Sequence, residues 1–155
     1  MKLHFFIGYD SKEDIAYRVC KYSLLKRSSI NVNVVSLKLD ELIAKNLYTR
    51  NVDPLASTQF TYSRFLVPKL MNYQGWAVFC DCDFIFLGDV SILLENLDES
   101  KAAYCVQHDY TPKEKHKMDG QKQTIYPRKN WSSFILYNCS HPSTKKLTVE
   151  KVNNE

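Results

Sequence analysis

Fourteen residues constrain this chain more than any others: Trp76 to Asp89, WAVFCDCDFIFLGD. Two strongly apolar runs, Val78 to Cys80 and Phe84 to Leu87, flank the acids Asp81 and Asp83. Runs this short read as buried strand segments, with the acidic crossing where the chain leaves the core. One residue separates the two carboxylates. In an extended segment they point to the same side, because the strand period is two. Two carboxylates held together repel and need compensation, and burying them unpaired beside apolar strands is expensive. A hard divalent cation compensates well, since Mg²⁺ and Mn²⁺ prefer oxygen ligands. The plainer alternative is a pair of acids at a strand end, neutralised by Arg or Lys. A bare DxD arises often by chance, so its meaning depends on the rest of the chain.

The rest alternates strand and helix. Leu3 to Asp10, LHFFIGYD, predicts a buried strand ended by a glycine turn. A helix follows to about Arg27, with Ser11 as its cap, Glu13 and Asp14 in its first turn, and Ile15, Val19, Tyr22 and Leu25 facing inward. Val32 to Leu37 is β-rich, Leu39 to Leu47 a short helix or turn, and Thr49 to Ser57 a loop. Thr58 to about Tyr73 predicts a helix with Phe60, Val67, Leu70 and Met71 on one side, bent or divided at Pro68. After the acids come a second short strand, a helix over Val90 to Leu97, and a strand over Ala102 to Gln107. A polar loop over His108 to Gln121, a strand over Ser132 to Cys139 and a short helix within Lys145 to Asn154 complete the reading. The alternation predicts an α/β sandwich with a largely parallel sheet. Such sheets bind ligands beyond the carboxyl ends of their strands. Tyr9-Asp10 and Asp81-Cys82-Asp83 are expected at neighbouring ends there, opening on one cleft.

Composition narrows the function classes. The 155 residues suit one domain with a real core, and 45% hydrophobic with 25% charged residues is an ordinary globular mixture. The net charge of +4 comes from scattered cations, whereas nucleic-acid binders usually concentrate theirs. The aromatic residues fall mostly at core spacing, not as a stacking platform. Five cysteines with no CxxC pair argue against a disulfide framework and against a zinc site. The short apolar run at the N-terminus is too brief for a signal core or a membrane span. The expectation is a cytoplasmic, reduced protein.

The stretch TYSRFLVPKLMNYQGWAVFCDCDFIFLGDVSILL resembles the core motif of GT-A glycosyltransferases of the family 8 type: a helix bearing an Arg, a strand, a DxD motif, a Gly-Asp turn and a helix. FIGYD is similar to their first strand, and WSSFILYN to a later strand near the donor sugar. The segment HDYTPKEKHKMDGQKQTIYPRKNW resembles a bacterial and viral subgroup. The resemblance implies a GT-A-like αβα sandwich over residues 1–155, with a mostly parallel mixed central sheet. It also implies transfer of a sugar from a nucleotide-diphosphate sugar to a glycan, protein or lipid acceptor. Asp81 and Asp83 would hold Mn²⁺ or Mg²⁺, and Cys82 would lie against the ribose. Tyr9 and Asp10 would meet the base. Arg64 would sit near the donor or brace the acidic motif. Ser132 would stand near the donor sugar, where relatives often have Asn-Ser-Gly and this chain has Trp131-Ser132-Ser133. No catalytic base or nucleophile is read.

Bland alternatives accompany several of these residues. Arg64 borders the apolar face of its predicted helix and needs a partner, which a structural salt bridge would supply as well as a ligand. Asp10 could simply start a helix. His108 and Asp109 follow a strand end but also suit a solvated loop. Enzymes of this type usually add a metal-binding His after the last strand. His141, before Pro142, looks like the start of the next helix, so the metal position is expected to be unfilled by protein and the usual C-terminal segment missing. The alternative function is a nucleotide-sugar-binding domain with little turnover. A metal-dependent phosphoesterase or nuclease would need more acidic or His ligands near the pair.

Overall fold

Three parallel strands and one reversed strand bring the predicted site residues to one edge of a sheet. The computed structural model describes residues 2–51, 56, 58–106 and 131–155. The strands are β1 (Lys2–Gly8), β2 (Asn31–Leu37), β3 (Trp76–Cys80), β4 (Ala103–Cys105) and β5 (Phe134–Asn138), in the order β2-β1-β3-β5-β4. β1 runs parallel to both neighbours, with Gly8 opposite Leu37 and Ile7 opposite Cys80. β5 is antiparallel to β3 and β4, so it alone runs against the others. This is the mostly parallel mixed sheet expected from the sequence. Phe5, Ile7 and Ala77 through Cys80 are fully buried, as strands covered on both faces must be.

The cover comes from different elements on the two faces. Cys80 meets Cys20 of α1 (Asp14–Arg27). Phe79, one residue earlier and therefore on the other face, packs against Phe60 and under the Arg64 guanidinium, 4.9 Å from its ring centre. α2 (Leu39–Ala44) follows β2, α3 (Val67–Leu70) precedes β3, and α4 (Val149–Asn154) ends the chain. The result is an αβα sandwich.

Several expectations need correction. Thr58 to Tyr73 is not one helix: turns lead into a 3-10 helix, Ser63–Leu66, and then α3. Pro68 lacks an N–H and sits in the first turn of α3, where that donor is dispensable, so it starts a helix and does not bend one. Ile15, Val19, Tyr22 and Leu25 face solvent, while Cys20 and Leu24 face the sheet. The cap at the start of this region is Asp10, not Ser11; its side chain accepts from the Lys12 amide at 3.0 Å. Phe84 to Leu87 is no strand. Phe84 and Phe86 still pack on the core while Ile85 and Leu87 point out, and the Phe86 amide finds the Ser23 hydroxyl instead of a neighbouring strand. Val90 to Leu97 shrinks to a 3-10 helix, Val90–Leu94, capped by Asp89. Lys145 to Asn154 divides into a 3-10 helix, Thr144–Lys146, and α4. The predicted loop at His108 to Gln121, with His108 and Asp109, lies outside the described residues, as does most of Asp53 to Ser57.

All five cysteines are free. No helix among the described residues is long and apolar enough to cross a membrane.

Candidate functional site

Parallel register decides what meets at the carboxyl edge. β2 ends at Leu37, β1 at Gly8 and β3 at Cys80, side by side. The residues just beyond are Lys38, Tyr9-Asp10 and Asp81-Cys82-Asp83. Because β5 is reversed, its first residues arrive at the same edge: Cys80 pairs with Phe134, and the Asp81 amide donates to the Ser133 carbonyl at 2.9 Å. Asp10 and Asp81 therefore do stand at neighbouring strand ends, as the sequence predicts.

Asp81 is the electrostatic centre of this edge. Arg64 Nη1 stands 3.1 Å from its Oδ1. The guanidinium is itself buried; Nε donates to the Phe60 carbonyl at 3.2 Å, and Nη1 to the Ser132 carbonyl at 2.6 Å and its hydroxyl at 3.4 Å. With Nη1 directed to Ser132, the Arg64–Asp81 pair is held by charge. Oδ1 is out of solvent and receives no aligned hydrogen bond. Burial pushes the Asp81 carboxyl up to about 7; Arg64 opposes the rise, while Asp83 and Glu13 add to it. Arg64 thus stands against Asp81, and Ser132 meets it through its backbone as much as its hydroxyl.

Cys82 and Asp83 lie in a turn, not in an extended segment, so the two-residue strand period does not apply past Asp81. Asp83 is exposed, yet its charge reaches Asp81. Cys82 is wholly buried, and its thiol donates to Glu13 Oε2 at 3.0 Å. Burial and that carboxylate push its thiol far above the usual range. Its side chain is therefore a bracket between the exits of β1 and β3, not a group lining the edge. Sequence reasoning saw Glu13 only as a first-turn acid. Its hydrogen-bond partner is 69 residues away, and no local signal marks the pairing.

Tyr9 and Asp10 are also engaged. The Tyr9 hydroxyl donates to Asp14 Oδ1 at 3.1 Å, and its ring lies edge-on to Tyr17 with the Lys38 ammonium 5.1 Å from its centre. The Asp10 carboxylate accepts the Lys12 amide and, at 3.2 Å, the Gln59 amide. His141 lies at the other end of the sheet. Its amide bonds Asn138, which pairs with Trp76 at the start of β3, a strand length from Asp81.

Oxygen donors dominate the edge. Among the described residues, no three His, Cys, Asp or Glu side chains gather closely enough to form a metal cage. A cation here would rest on Asp81 and Asp83 and complete its shell from ligand or water. Asp81 turns its buried Oδ1 to Arg64 while its side chain stays 24% exposed, so a cation would meet the carboxylate on its open side.

No protein-family model matches the chain. Among curated proteins it is similar to Protein CDI of Arabidopsis thaliana, at 55% identity over 150 residues. The match takes in 97% of this chain and 58% of that protein, so the chain spans little more than half the length of the relative. Solved glycosyltransferases share its fold. The bifunctional enzyme WbbM superposes with a TM-score of 0.65 at 15% identity, covering 97% of this chain and 34% of that one. GlyE of Streptococcus pneumoniae gives 0.56 at 15%, covering 97% and 37%. Mouse xyloside xylosyltransferase 1 gives 0.50 at 13%, covering 98% and 74%. The chain has the GT-A-like fold of these glycosyltransferases.

Proposed function

We propose that this chain is the nucleotide-sugar-binding part of a metal-dependent glycosyltransferase of the family 8 type. The observation that carries the reading is Asp81: a part-exposed carboxylate at the carboxyl edge of a GT-A-like sheet, with one oxygen turned to the buried Arg64 guanidinium and the exposed Asp83 two residues on. Asp81 and Asp83 are the residues that would hold Mn²⁺ or Mg²⁺. Such an ion, when bound, offsets the negative charge that grows on a nucleoside diphosphate as the sugar–phosphate bond breaks.

The chain's own groups do the remaining work. Arg64, resting over the Phe60 and Phe79 rings, orients Asp81 and opposes the effect of burial on its carboxyl. Cys82 and Glu13 fasten the turn that carries Asp83. The Tyr9 ring, between Tyr17 and Lys38, supplies a flat surface next to a cation at the β1 exit, which suits a nucleotide base. Asp10 keeps the path from β1 into α1 in shape, and its carboxylate is committed to two amides. The acceptor is a glycan, a protein or a lipid, and the reaction is taken to be cytoplasmic. Binding with little turnover is the second reading.

Calorimetry with UDP-, GDP- and dTDP-sugars, with and without Mn²⁺, tests the proposal. One donor should bind more tightly with the metal, and Asp81→Ala should abolish that gain. Unchanged metal dependence in Asp81→Ala would remove the basis of the reading.

A further inference from the structure

α1 has two apolar faces. At about 100° per residue, Cys20 and Leu24 share the face that meets the sheet. Ile15, Val19, Tyr22 and Leu25 fall on the opposite side, with Ile15 80% and Tyr22 64% exposed. Nothing among the described residues covers this side. Ile85 and Leu87, the latter 76% exposed, stand beside its C-terminal end. Their loop is tied to α1 by Arg27 Nη1 on the Leu87 carbonyl at 2.9 Å and by the Phe86 amide on Ser23. Single exposed apolar residues are ordinary, but a helix face with a neighbouring loop is a patch.

Its charge selects the occupant. Arg18, Lys21 and Lys26 interleave with the apolar side chains. Asp14 answers Arg18 at 2.7 Å, which leaves Lys21 and Lys26 for an outside anion. Lys26 also bonds the Tyr22 hydroxyl at 3.3 Å and lies over its ring, giving that pair an apolar body and a polar, cationic tip. A second copy docked face to face would set these cations against their equivalents. A single convex helix ridge offers no groove for a peptide. Apolar tips flanked by lysines instead match an anionic bilayer, where the tips enter the headgroup boundary and the ammonium groups meet lipid phosphates and carboxylates.

We propose that the outward face of α1, with Ile85 and Leu87, docks this protein on an anionic lipid surface. The contact is peripheral and salt-sensitive, and it does not depend on which reaction the strand-edge site performs.

Co-sedimentation with vesicles tests it, using phosphatidylcholine alone and phosphatidylcholine mixed with phosphatidylserine. The protein should bind the mixed vesicles, bind the neutral ones at least about ten-fold more weakly, and lose binding as salt rises. The triple variant Ile15→Ser, Tyr22→Ser, Leu25→Ser should fold normally, since its sites are exposed, and bind about ten-fold less. The pair Lys21→Glu, Lys26→Glu should fail on the mixed vesicles, and it decides the matter if the triple variant melts early. No binding to the mixed vesicles would overturn the proposal. So would binding that both variants retain, or a dimer in sedimentation velocity that the triple variant abolishes.

Discussion

Two aspartates stand at neighbouring strand exits and have opposite fates. At the end of β1, both oxygens of Asp10 accept backbone amides, from Lys12 and Gln59. At the end of β3, Asp81 Oδ1 accepts no backbone amide and is buried against the Arg64 guanidinium at 3.1 Å. Residue type and sheet edge are shared. Their partners separate them: one carboxylate is spent on backbone amides that shape the fold, and the other is held by a single side-chain cation and keeps an open side. A fold-supporting acid and a candidate ligand acid can therefore sit side by side at one sheet edge.

Substitutions can break or sharpen this contrast. The largest effect belongs to Arg64→Met, which keeps the apolar contact with Phe60 and Phe79 but leaves Asp81 without its counter-charge. Breaking a buried ion pair from one side costs about 3 kcal/mol, measurable as a lower urea midpoint, and metal-assisted nucleotide binding should fail with it. Asp10→Ala comes next. Losing a cap and a cross-chain acceptor should cost about 1–2 kcal/mol in the same titration, while Mn²⁺-dependent donor binding survives in calorimetry. If that metal dependence disappeared instead, the two exits would not differ in kind. Glu13→Gln should cost less than about 1 kcal/mol, because a thiol is a weak donor. It should still weaken Mn²⁺-assisted binding by loosening the Cys82–Asp83 turn. Asp83→Asn is the mildest for stability, within about 0.5 kcal/mol since the side chain is exposed. The expected result is an unchanged thermal midpoint with the metal gain lost. A melting temperature that moved with the binding loss would recast Asp83 as structural.

Much of the sheet was legible beforehand. The apolar runs of β1 and β3 have no alternation, as fully buried parallel strands require, and the β-rich run of β2 was equally plain. The position of Arg64 at the border of an apolar face announced a buried partner, and Asp81 proved to be one. α1 misled for a physical reason. Its outward residues Ile15, Val19, Tyr22 and Leu25 keep helical spacing, and periodicity reveals a stripe without saying which side the sheet covers. Cys20 and Leu24 on the buried side make a thinner signal. The segment from Thr58 to Tyr73 misled differently: its apolar spacing suits a helix, but Arg64 directs its guanidinium to the carbonyls of Phe60 and Ser132, and the chain coils tightly there. The Glu13–Cys82 and Asp10–Gln59 bonds join distant segments, and no window along the chain could display them.

Gly8 has a wider consequence. A Cβ on it would stand 2.6 Å from the Phe60 ring, and Phe60 in turn offers its carbonyl to Arg64. One added methyl group would move the ring, the Phe60 backbone carbonyl, the guanidinium and the carboxylate in succession. A side chain at Gly8 would therefore be felt as far away as Asp81. The exposed turn around Asp83 has room for larger side chains, and the end of the first strand has none.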